Sequence, residues 1–61
     1  LTPREREVLL WTMDGKSAGD VAQILGLSEH TVVFHLRNVA RKLDASTKHQ
    51  AVLKALALGL I

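Results

Sequence analysis

Three residues, Gly26, Leu27 and Ser28, separate two apolar stripes, and this spacing constrains the fold more than any other feature of the chain. Ala18, Val21, Ala22 and Leu25 recur with a helical period, as do Val32, Leu36, Val39 and Leu43. Each set is the stripe of a helix with one face in a core. Gly26 can turn the chain in a left-handed conformation, Leu27 can fill the corner, and Ser28 can cap the next helix. A tight, Gly-containing turn between helices that cross at roughly 90–120° is the helix-turn-helix arrangement. The second helix, about fifteen residues, has the size of a recognition helix for a major groove about 12 Å wide. Purely structural bundles use the same turn, so the spacing by itself leaves both uses open.

The remaining punctuation extends the pattern to four helices, predicted over about 3–13, 18–25, 29–43 and 47–58. Thr2, Pro3 and Glu5 provide an N-cap, a first-turn proline and a capping-box acid. Ser17 caps the second helix and Ser28 the third. Ser46 or Thr47 starts the fourth. Gly15, Gly26 and Gly59 are placed to end helices. Val8, Leu9, Leu10, Trp11 and Met13 give the first helix a broad apolar face. No strand alternation, repeat or linker interrupts the chain, so the class is all-α with one core.

At 61 residues this is one domain near the lower size limit, burying about 60% of the surface its unfolded form exposes. Without cysteine it has neither disulfide nor thiolate metal site. Five of the six acids lie at or before Glu29, whereas Arg37 to Lys54 holds five Lys/Arg against Asp44 alone. A basic half is suited to a polyanion. The tail "AVLKALALGLI" is shorter than the ~18 residues of a membrane span and contains Lys54. No signal peptide or lipidation motif is visible, so the expected location is cytoplasmic, with no membrane partner. The chain opens on a helix start without an initiator methionine, as expected of a domain within a longer protein.

The outward face of the third helix carries His30, Phe34, Arg37, Asn38 and Arg41, with Val33 at its edge. Arg37 can fork onto guanine O6 and N7, and Val33 or Phe34 can meet a thymine methyl. One of only two aromatic residues then faces outward, which makes sense if bound DNA covers it. The alternative is that Phe34 folds back as peripheral core. Lys16, Ser17 and Thr31 stand near helix N-termini, whose free N–H groups suit phosphate. Arg41, Lys42 and Lys48 are further backbone candidates, against the alternative of ordinary solvated side chains. His35 is read as structural. His30, His35 and His49 lack metal spacing, since the first two diverge by about 140° on a helix. No nucleophile–base pair or Gly-rich phosphate loop exists, so nothing points to an enzyme or a cofactor.

The fourth helix is apolar nearly all round. Ala51, Ala55 and Leu58 form one stripe, Val52, Leu53 and Leu56 extend around the other side, and Lys48, Gln50 and Lys54 form the polar strip. A helix of this kind is buried on both sides. A second subunit, through Val52, Leu53 and Leu56, or another domain would cover it. The alternative is a surface helix with scattered leucines.

Together "LTPREREVLLW", "GKSAGDVAQILGLSEHTVVFHLRNVARKLDAST" and "QAVLKALALGLI" resemble the LuxR-type helix-turn-helix domain over essentially the whole chain. The resemblance implies a four-helix domain at the C-terminus of a bacterial transcription factor. Its third helix would enter the major groove and its fourth would form the dimer seam. Trp11 and the "TVVFHLRN…KLDAST…QAV…LGLI" pattern are more similar to the quorum-sensing branch, which implies an N-terminal acyl-homoserine lactone sensor outside this chain. By motif position, base reading falls on Val33, Phe34 and Arg37. Backbone contacts fall on Lys16, Ser28, Thr31, Asn38, Lys42 and Lys48. Val33 stands where relatives often carry a polar or basic residue, which affects the target sequence. Lys48 stands where arginine is frequent, keeping the charge without the fork.

The expected partners are double-stranded DNA, a second copy through the fourth helix, and RNA polymerase. Competing readings are the output domain of a phosphorylation-controlled response regulator, a promoter-recognising sigma-factor domain, and a helical protein–protein module.

Overall fold

Side-chain caps open all four helices, and the computed structural model, which describes residues 1–61, shows each of them made. Helix α1 runs Pro3–Met13, α2 Ala18–Leu25, α3 Glu29–Lys42 and α4 Lys48–Ala57. Thr2 Oγ1 accepts the Glu5 N–H at 3.1 Å while Glu5 Oε1 accepts the Thr2 N–H at 2.9 Å, closing the capping box. Ser17 and Ser28 accept the Asp20 and Thr31 N–H groups, each at 3.1 Å. Of the two candidates for α4, Thr47 is the cap and accepts from the Gln50 N–H at 3.0 Å.

The helices end alike, with a residue in left-handed conformation followed by an N–H that reaches back five residues. Gly15, Gly26 and Gly59 serve α1, α2 and α4. In α3 the position is Asp44, at φ 53, and the Ala45 N–H closes onto the Ala40 carbonyl at 2.8 Å. An aspartate tolerates this conformation at some cost, and no glycine signals the stop. The helix therefore ends at Lys42, one residue before the predicted limit. The Lys54 ammonium donates to the Asp44 carbonyl, tying the α3–α4 connection to α4.

Helix α3 packs against each of the other three. Val8, Val21, Ala22 and Val32 form one buried cluster among α1, α2 and α3. Leu9, Val39, Ala51, Val52 and Ala55 form the other among α1, α3 and α4. Leu36 touches both and makes them one core. Leu27 seats against the first cluster, as its corner position predicts. With one face of α3 engaged along its length, its other face is left open.

The apolar residues of α4 divide between core and surface differently from the expected stripes. Val52 is only 8% exposed and packs into the core, yet it also lines a groove with Leu53 and Leu56. Leu58, expected beside Ala51 and Ala55, is exposed instead. The chain turns at Gly59, and Leu60 and Ile61 fold back onto the core. Arg6 Nε holds that return by donating to the Leu60 carbonyl at 3.2 Å.

Candidate nucleic-acid interface

The free face of α3 follows from its packing. With Val32, Leu36 and Val39 directed inward, helical geometry turns residues 30, 34, 37 and 41 outward. Phe34 is 60% exposed, which decides between the two readings of it: the ring is not peripheral core. It makes an edge-to-face contact with the half-buried His35, at 5.9 Å between centroids and 61° between planes. His35 thus supports the ring from the flank of the helix.

Arg37 and Arg41 are both exposed. Arg41 Nη2 donates to Asn38 Oδ1 at 3.0 Å, which leaves the Asn38 amide hydrogens directed elsewhere. Arg41 and Lys42 also occupy the last turn of α3, where cations complement the negative end of the helix. Arg37 is part of neither that pair nor any ion pair, so its fork is free.

Two shallow depressions meet along this face. Glu29, His30, Val33, Phe34 and Arg37 line the first. The second runs from Val33 and Arg37 to Ala18 at the start of α2, and to Ser46 and Lys48 at the start of α4. Val33 and Arg37 belong to both. The fold therefore brings Lys48 from a distant part of the sequence to the edge of the α3 face. It brings the helix starts with it: Ser17 caps α2, and Ser28 caps α3 with its Oγ 2.9 Å from Thr31 Oγ1. Lys16 stands just before Ser17, half-buried, its Nζ 4.0 Å from an Asp14 carboxylate oxygen. The Ser46 hydroxyl and the Lys48 ammonium thus border an apolar and guanidinium centre. That combination suits phosphates at the rim and base edges in the middle.

Lys42 is the exception. Its Nζ lies 2.7 and 3.0 Å from the two Glu5 carboxylate oxygens, and Glu5 is 3% exposed. Lys42's hydrogen bond holds the Glu5 carboxyl below its ordinary value, outweighing burial, with further help from the Thr2 N–H and hydroxyl. Lys42 is thus engaged in closing the α1–α3 contact. Spacing alone could not reveal this, because the partners are 37 residues apart.

Glu29 was not among the residues singled out from sequence, yet it lines the same depression as Phe34 and Arg37. The signal that finds it is the i, i+4, i+8 series Glu29–Val33–Arg37. Lys48 also lines a second groove, with Val52, Leu53 and Leu56 of α4 and Met13 of α1, in which Leu53 and Leu56 are exposed.

A family model described as bacterial regulatory proteins of the luxR family matches residues 1–55. Over all 61 residues the chain is 61% identical to the transcriptional activator protein SolR of Ralstonia nicotianae, and it covers 26% of that protein. It is 56% identical to the quorum-sensing regulator RhlR of Pseudomonas aeruginosa, covering 25% of it, and 48% identical to the transcriptional activator protein LuxR of Aliivibrio fischeri, covering 24%. The chain thus spans about a quarter of the length of these relatives. The solved structure of the transcription factor GerE superposes with a TM-score of 0.93 at 41% identity, over 97% of this chain and 88% of that one. The chain belongs to the luxR family of bacterial regulatory proteins, helix-turn-helix regulators of transcription.

Proposed function

We propose that this domain binds double-stranded DNA sequence-specifically, with α3 in the major groove, as one half of a homodimer on a two-fold related site. The observation that carries the reading is Phe34, 60% exposed beside Val33 and Arg37 on the one open face of a helix packed on three others. A helix of 14 residues is about 21 Å long and fits lengthwise in a groove about 12 Å wide. Val33, Phe34 and Arg37 read bases. Lys16, Ser17, Ser28, Thr31, Asn38, Arg41 and Lys48 hold the backbone.

The second copy joins through Val52, Leu53 and Leu56, which line one groove with Met13 and of which Leu53 and Leu56 are exposed. Most soluble oligomers are closed and two-fold, and a dimer of recognition helices reads half-sites about one helical turn apart. In the cytoplasm, a preceding segment would control the domain by sensing an acyl-homoserine lactone. The likeness to a named quorum-sensing regulator, of which the chain covers a quarter, supports this. Likeness to named activators supports contact with RNA polymerase.

Duplex binding measured across salt concentrations tests the reading. The logarithm of affinity is expected to fall linearly with that of salt, with slope about −0.9 per neutralised phosphate; a flat response rules the reading out. Arg37→Ala is expected to cost about 1–3 kcal/mol on the preferred site and relax selectivity at one position. Uniform weakening across sequences would place Arg37 on the backbone instead.

A further inference from the structure

The face of α3 proposed to meet DNA contains a feature that cations and apolar groups do not explain. Glu29 is the one carboxylate in the depression it shares with His30, Val33, Phe34 and Arg37. It is exposed. Like Asp20 and Asp44, Glu29 is in no ion pair, although Arg37 is on the same strip. Its side chain lies over the first turn of α2: Oε2 would be 3.7 Å from a Cβ on Gly19, and Ser17 Oγ 3.9 Å from that same point. The bare backbone of Gly19 leaves room for it there.

In the first turn of α3 a carboxylate complements the positive end of the helix, but facing a polyanion it also repels it unless the DNA offers it a donor. The phosphates offer none. In the major groove the donors are the exocyclic amines, and of the four bases cytosine presents only a donor there. A carboxylate, which only accepts, fits that edge. Guanine presents O6 and N7, both acceptors, and adenine sets N7 beside its amine, so both oppose a carboxylate in part or whole.

We propose that Glu29 is a sequence-reading residue, accepting a hydrogen bond from the N4 amine of a cytosine. It forms the outer end of a strip whose inner end is Arg37 on guanine. The inference rests on the proposal that α3 lies in the major groove. Glu29 and Arg37 are eight residues apart, about 12 Å along a helix, with Val33 midway. At about 3.4 Å per base pair, the cytosine lies roughly three to four pairs from the guanine, with an apolar-read pair between them. The strip has an acceptor at one end and a donor fork at the other, which gives each half-site a direction.

Selection of bound duplexes from a random pool tests this, using the wild-type chain, Glu29→Gln and Arg37→Ala in parallel. Glutamine keeps the shape of the side chain but pairs with adenine N6 and N7. The wild-type motif is expected to hold a cytosine three to four pairs from the guanine whose selection Arg37→Ala relaxes. In Glu29→Gln, preference at the cytosine position is expected to shift toward adenine by about five- to 150-fold, with the rest of the motif unchanged. If Glu29→Gln retains the wild-type motif and binds every duplex more tightly by one factor, Glu29 only repels phosphate and the proposal is overturned. A wild-type pool without any motif overturns the underlying reading of α3 as well, so the two failures are told apart.

Discussion

Lys42→Met is expected to destabilise the domain by about 2–3 kcal/mol at pH 7 while leaving the salt slope of DNA binding unchanged. The substitution leaves the buried Glu5 carboxylate with only the Thr2 donors, and breaking one side of a buried charge pair costs about 3–5 kcal/mol. The figure is discounted because the Lys42 side chain is 43% exposed and water shares its charge. Native chains carry about 0.05–0.15 kcal/mol per residue, roughly 3–9 kcal/mol for 61 residues, so the loss is a large share of the total. Urea unfolding of the two proteins measures it.

The pH dependence has a definite sign. The carboxyl of folded Glu5 lies below its ordinary value of 4.5. Its contribution is complete above that value and is lost as pH falls from there through the depressed folded value. The gap between wild type and Lys42→Met is therefore expected to close in acid. A gap independent of pH would mean that the ion pair is not what Lys42 contributes. A salt slope shallower by about 0.9, measured where both proteins are folded, would return Lys42 to the phosphate contacts.

Leu9→Ala is expected to cost about 3–4 kcal/mol, enough to unfold much of the population at ambient temperature. Leu9 is fully buried and heads the largest side chains of the core. Buried Leu→Ala changes cost about 2–5 kcal/mol, depending on how far neighbours close the cavity. Two of its buried neighbours are Ala51 and Ala55, whose methyl groups cannot swing into the space, so the cost does not fall at the low end of the range. The cavity opens between α1 and α4, so amide exchange is expected to rise first in α4. A loss below 1 kcal/mol would show that the helices close over the gap.

Much of this was legible locally. The starts of α1, α2 and α3, the turn at Gly26 and the inward stripe of α3 depend on neighbours within one or two helical turns. The period that sends Val32, Leu36 and Val39 inward also sends Phe34 and Arg37 outward, so the candidate face could be named from spacing. The stop of α3 was less legible because Asp44 takes the left-handed position that glycine takes in the other helices. In α4, periodicity left open which apolar side faces the core, since nearly every side is apolar.

The sequence by itself determined four capped helices, the tight turn between two of them, and one strip of basic and apolar residues along α3. Those features arise from interactions three to five residues apart, which the order of residue types specifies. Only the tertiary structure decided that Lys42 neutralises Glu5, that Val52 packs into the core, and that Lys48 lines one depression with Arg37. Those outcomes depend on how helices far apart in sequence settle against one another. A charge or a methyl group takes its role from whatever that packing places beside it.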